Sequence, residues 1–182
     1  MVSRDRSSAA TPIYVIGENI QATLSLEELD KLKVYCLNEL QVDYDKEMSA
    51  VTLHNRAIVN GTMYHSILYN CKATKRNNYT AAYQLNEQVQ FGIIKSFLSV
   101  TLSSKSSPVI LCVIKTLREC PSRVTSASSM EDEYISKTFQ GVSEHDELIY
   151  IETKHLISIC VSITLQEKQC VVLPPNGYDF IN

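Results

Sequence analysis

The chain has 182 residues, 45% of them hydrophobic and 20% charged, with a formal net charge of −3. That is a globular composition with enough apolar content for one core. It excludes a general basic field of the kind that draws a protein onto nucleic acid or acidic lipid, and it excludes a helical membrane anchor, since the longest apolar runs, PVILCVI and HLISICVSITL, stop short of a bilayer.

The first residues, MVSRDRSSAATP, have bases but no apolar stretch behind them. Residues 1–11 read as a disordered leader or as the cut end of a longer chain. PIYVIG is short and β-branched, and it opens a unit spanning 12–48. Ser25-Leu26-Glu27-Glu28 then has the form of a capping box, in which the serine oxygen takes the N3 amide and the glutamate reaches back. Leu26, Leu29, Leu32, Cys36, Leu37 and Leu40 recur at helical spacing, so the pattern predicts an amphipathic helix fading near Val42.

From 49 to 182 the period changes to two. Asn60-Gly61 between short apolar arms predicts a hairpin with a type I′ turn. NNYTAAYQL alternates, which places Tyr79, Ala81 and Tyr83 on one face. VQFGIIKSFLSV follows, and Gly92 within it predicts a bulge or a close backbone approach. SSKSSP is a loop and VILCVIKTL a central strand. Residues 118–140 lack periodicity and read as a long loop. ELIYIE, HLISICVSITL and KQCVVLP are three further strands. One helix followed by about seven short strands predicts an α+β, mainly β, fold: a closed antiparallel barrel or small sandwich with the helix packed on it. The six cysteines, Cys36, Cys71, Cys112, Cys120, Cys160 and Cys170, mostly sit in apolar runs and are expected as reduced, buried thiols rather than a disulfide framework.

FGIIKSFLSV, VILCVIKTL and ELIYIETKHLISICVSI, in that order, resemble the strands of the bromo-adjacent homology (BAH) family, chromatin-associated β-barrels of SH3-like build. The counterparts are Gly92-Ile93-Ile94, Val109 to Leu117, Glu147-Leu148 and Leu156 to Val161. RAIVNGTMYHS, KRNNYTAAY and FGIIKSFL also resemble a β module of transposon-derived, uncharacterised animal proteins. Together these likenesses cover about Arg56 to Leu173. They imply a small BAH/SH3-like barrel acting as a non-enzymatic binding module, in an intracellular setting, nuclear rather than cytoplasmic, with a peptide or nucleic acid as partner. The chain departs from the family in having no tryptophan and no aromatic residue in VILCVIKTL.

Four sets of residues bear on chemistry. Lys72, Lys75 and Arg76 precede Tyr79 and Tyr83, and bases beside tyrosines suit a single-stranded nucleic acid, since the bases neutralise phosphates and the rings stack. Lys95, Lys105 and Arg118 would enlarge that patch, and Tyr79, Tyr83, Phe91 and Phe97 are the rings from which an aromatic cage for a methylated lysine, as in the family resembled, would have to be built. Glu152-Thr153-Lys154 after an apolar strand has the E-x-K form of the PD-(D/E)xK metal-dependent nucleases, with Asp132 or Asp146 as the second carboxylate. This nuclease is the alternative reading; a purely structural or assembly module is another. His65 with Cys71 and His155 with Cys160 fit no zinc spacing, so neither metal nor cofactor is expected. The acids of EDEYISKTFQGVSEHDE form a solvated loop that a basic peptide, such as a histone tail, would suit.

Overall fold

The structure is a computed structural model that describes residues 13–17, 20–21, 23–69, 79–119, 140–165 and 168–172. The leader, the Lys72–Arg76 segment, Cys71, Cys120, Asp132 and most of the long loop after Arg118 lie outside the described residues.

The helix forms where its cap predicts. α1 (Leu26–Asn38) opens on Ser25, whose Oγ accepts from the Glu28 amide at 3.3 Å, while Glu28 Oε2 accepts from the Ser25 amide at 2.9 Å. Two of the orphan donors at the helix start are thereby satisfied. Its buried stripe is narrower than the leucine spacing suggests. Leu32 and Cys36 are buried, whereas Leu26 is 81% and Leu37 63% exposed. Only the helix side facing the sheet is covered. A short second helix, α2 (Tyr44–Glu47), is capped by Asp43 and tied to α1 through Lys33 and Asp45 at 2.9 Å.

The rest is antiparallel β-structure. β1 (Tyr14–Ile16), β4 (Arg56–Val59) and β5 (Thr62–His65) make a three-stranded sheet in the order β1-β4-β5. Asn60 and Gly61 join β4 to β5 with φ of 52° and 77°, as a type I′ turn requires. The larger sheet runs β10 (Leu156–Ile159), β6 (Thr80–Leu85), β7 (Gln88–Leu102), β8 (Val109–Glu119), β9 (Gln140–Glu152), β12 (Lys168–Val172) and β11 (Val161–Leu165). β3 (Met48–His54) lies beside the second half of β7, and β2 (Ile20–Gln21) lies on β3.

Three expectations change here. The strands are more numerous, and three are long: β7 has 15 residues, β8 has 11 and β9 has 13. HLISICVSITL is two strands, because Cys160 steps out of the ladder and its amide bonds Thr80 O at 2.8 Å. The closed barrel is not found: among the described residues no ladder joins β9 to β10, and the sheet stays open. A single 3₁₀ turn (Thr153–His155) nonetheless carries the chain from the end of β9 across to β10, which pairs with β6.

Three apolar clusters cover the larger sheet. One sheet face holds Tyr83, Ile94, Phe97, Cys112, Ile114 and Ile151, and is covered by Ala57, Val59 and Tyr64 of the small sheet. The opposite face is covered at one end by α1, over Leu98, Val100, Leu111, Val113 and Tyr150. At the other end Phe91, Ile93 and Leu117 meet Cys160 and Val171. β7 serves both faces because of a bulge at Lys95: Ile94 opposes Ile114, but Ser96 opposes Val113. The extra residue reverses the alternation, so that Ile94 and Phe97 point the same way. Gly92 is the close approach rather than the bulge. A Cβ there would collide with Ile114 and stand 3.0 Å from Lys115 O. Cys36, Cys112, Cys160 and Cys170 are buried.

Candidate functional site

The described residues do not gather the sequence-derived basic and aromatic patch. Tyr83 is 0% exposed, because β6 has β7 on one edge and β10 on the other and both of its faces are covered. Its hydroxyl donates to Gln90 Oε1 at 3.1 Å, and burial, with Glu147 nearby, pushes its pKa up to about 12. It cannot stack on a nucleic-acid base. Tyr79 precedes β6 and belongs to a different cluster, so the two tyrosines do not share a face. Phe91 and Phe97 are core. Lys95 is engaged at 2.7 Å by Glu28. Arg118 stands near the far end of β8, whereas Lys105 lies in the turn that precedes the strand. Lys72, Lys75 and Arg76 lie outside the described residues.

The E-x-K residues pair with each other. Lys154 Nζ is 2.7 Å from Glu152 Oε1. Asp146 lies six residues back on the same strand, about 20 Å away at strand rise, and Asp132 lies outside the described residues. Among the described residues no three His, Cys, Asp or Glu side chains are grouped to hold a metal ion.

A groove of about 450 Å³ runs between α1 and β9. Its helical wall is built from two i, i+4 rows, Asp30-Val34-Asn38 and Lys31-Tyr35-Glu39, and such rows lie on one helix face. Its other wall is Glu147 to Ile151 of β9, and Leu85 and His155 complete the lining. Val34 is 58% exposed at the rim. The position of the helix, and so the width of the groove, is set by three contacts. Tyr35 and Tyr150 lie with ring centroids 6.2 Å apart. The Tyr150 hydroxyl donates to Glu28 O at 2.9 Å. Lys95, placed on the helix side by its bulge, reaches Glu28 Oε1.

The electrostatics of this support are consistent. Burial alone would raise the Glu28 carboxyl, but hydrogen bonds from Lys95 and Ser25, together with the lysine charge, hold it below its ordinary value. Burial pushes the Tyr35 and Tyr150 phenols well up, so both stay neutral. The groove itself is acidic. Asp30, Glu39 and Glu147 stand around an apolar strip of Val34, Leu85 and Ile149, and Lys31 is bridged by Glu27 at 3.0 Å. Asp30, Val34 and Asn38 fall on the polar side of the helical pattern. The valine placed off the apolar stripe is the only sequence trace of the site.

The chain matches no family model, no curated protein and no solved structure. No described helix is long and apolar enough to cross a membrane.

Proposed function

We propose that the protein is a non-enzymatic binding module whose α1–β9 groove takes a short basic peptide with apolar anchors. The observation that carries this reading is an apolar strip edged by three carboxylates, held between a helix and a strand that are locked together from behind. Apolar side chains of a peptide would bury against Val34, Leu85 and Ile149, while its lysines or arginines meet Asp30, Glu39 and Glu147. Apolar contact supplies affinity, and the charges supply orientation and on-rate. A chromatin-type tail is a partner of this chemistry. The meander β6-β7-β8-β9, returned to β6 through a 3₁₀ turn and β10, supports kinship with the BAH and SH3-like modules.

Short peptides alternating leucine with arginine, titrated into the protein and followed by amide chemical shifts, test this reading. Shifts should concentrate on Val34, Asn38 and Ile149, and binding should weaken with salt. Val34→Ser, at an exposed position, removes apolar contact without changing the charge and should weaken binding about tenfold without altering the fold. Equal binding of leucine–glutamate peptides would overturn the reading.

A further inference from the structure

Consecutive residues of β9, Glu147 to Ile151, all line the groove. Neighbouring side chains on a strand point to opposite faces, so a groove touched by such a run opens on the edge of the strand rather than on one face. The apolar clusters agree. Ile149 and Leu85 pack in the cluster beneath the small sheet, whereas Tyr150 and Tyr35 pack in the cluster beneath α1.

The ladder shows which backbone groups that edge presents. Ile110 O accepts from Thr153 Oγ1 at 3.2 Å, so β8 turns the Ile110 carbonyl toward β9. Ile94, opposite Ile114, donates its amide to Tyr79 O and accepts from the Ile67 amide, both away from β8. Opposed residues of an antiparallel pair either exchange bonds or both turn away, and the two kinds alternate. Ile114 therefore also faces β9. Ile149 and Ile151, opposite Ile114 and Cys112, bond to β8, and Leu148, Tyr150 and Glu152 turn their amides and carbonyls outward. The Glu152 backbone is met by the Tyr35 hydroxyl. β12 pairs with β9 at Gln140 and Gly141, short of the groove. Among the described residues no ladder or backbone hydrogen bond takes up the outward groups of Leu148 and Tyr150. An open edge is a template for another strand.

We propose that a peptide in the groove binds as an added strand on this edge, its main chain paired with Leu148 and Tyr150 and its side chains alternating between Ile149 and Leu85 on one face and Asp30, Val34 and Glu39 on the other. Strand addition rests on the groove being a peptide site, and it specifies how the peptide lies and what it contains. Main-chain pairing supplies affinity, and contacts to alternate side chains supply selectivity. The face at Ile149 and Leu85 takes apolar residues. The α1 face takes lysine or arginine, whose stems lie over Val34 while the charges meet Asp30 and Glu39. The partner segment is thus extended, with apolar and basic residues at alternate positions.

The probe is N-acetyl-Leu-Arg-Leu-Arg-Leu-Arg-amide, titrated into the whole chain. It is compared with the block-ordered N-acetyl-Leu-Leu-Leu-Arg-Arg-Arg-amide and with two depsipeptides, in which either the leucines or the arginines are replaced by the matching hydroxy acids. Each depsipeptide lacks alternate backbone donors and keeps every side chain. One of them should bind about tenfold more weakly than the parent, and the other should bind as the parent does. The block-ordered peptide should also bind about tenfold more weakly. Hydrogen exchange of the Leu148 and Tyr150 amides should slow in the parent complex. Depsipeptides that behave alike, a block-ordered peptide that binds as tightly as the parent, or unchanged exchange at Leu148 and Tyr150 would each overturn strand addition while leaving the groove a peptide site. A parent peptide that does not bind would overturn the peptide site itself, and strand addition with it.

Discussion

Glu28 shows how much a single side chain carries here. It closes the capping box, binds Lys95 at 2.7 Å, and its carbonyl accepts from Tyr150. Glu28→Ala should lower stability by about 1 kcal/mol through the cap alone, measured by urea denaturation. Because the folded-state carboxyl lies below its ordinary 4.5, its contribution is present above that pH and is lost as pH falls through the folded value. Glu28→Gln should therefore flatten the acid limb of the stability profile. Gly92 is as constrained for a steric reason. Gly92→Ala would press a methyl onto Ile114 and Lys115 O, and should cost about 1–3 kcal/mol in the same measurement.

At the scale of elements, the helix–sheet contact and the hairpin make separate predictions. Tyr150→Phe removes the hydroxyl bond to Glu28 O and keeps the ring. It should cost about 1 kcal/mol and weaken peptide binding in the groove, because α1 loses one of its three attachments. Calorimetric titration with the leucine–arginine peptide would show both effects in one variant. Gly61→Ala places a side chain at a φ of 77° and should destabilise by about 1 kcal/mol, read as a lower denaturation midpoint. The bulge at Lys95 is an element-scale device as well. One extra residue lets β7 feed opposite faces in its two halves, and it directs a lysine at the helix.

At the scale of the molecule, the core of the described residues is split into three clusters rather than gathered in one barrel interior. His54 lies against this arrangement, 3% exposed and opposite Phe97, and burial holds its pKa below the ordinary 6.5. The unfolded chain then binds the proton more readily than the folded one. Stability should rise with pH through the region below 6.5 and fall on acidification. His54→Phe should reduce that slope, seen as a smaller drop in melting temperature between neutral and mildly acidic buffer; the remainder belongs to His65, whose imidazole burial and the Arg56 charge also hold below its ordinary value. Phe97→Ala, in the shared central row, should cost about 3–5 kcal/mol.

What the amino-acid order determined by itself is local. The serine–glutamate cap, the Asn60-Gly61 turn, the alternation that marks strands, the glycine at a close approach and the thiols within apolar runs are all legible, because each depends on neighbours a few residues away. What only the tertiary structure decided is which faces meet. A single extra residue at Lys95 inverts the alternation along β7, so no periodic reading could place Ile94 and Phe97 on one face or Lys95 on the helix. The acidic groove likewise exists only because α1 crosses β9, more than a hundred residues away in sequence. Sheet pairing over such distances is set by the competition of whole apolar faces for cover, and that competition is resolved in three dimensions.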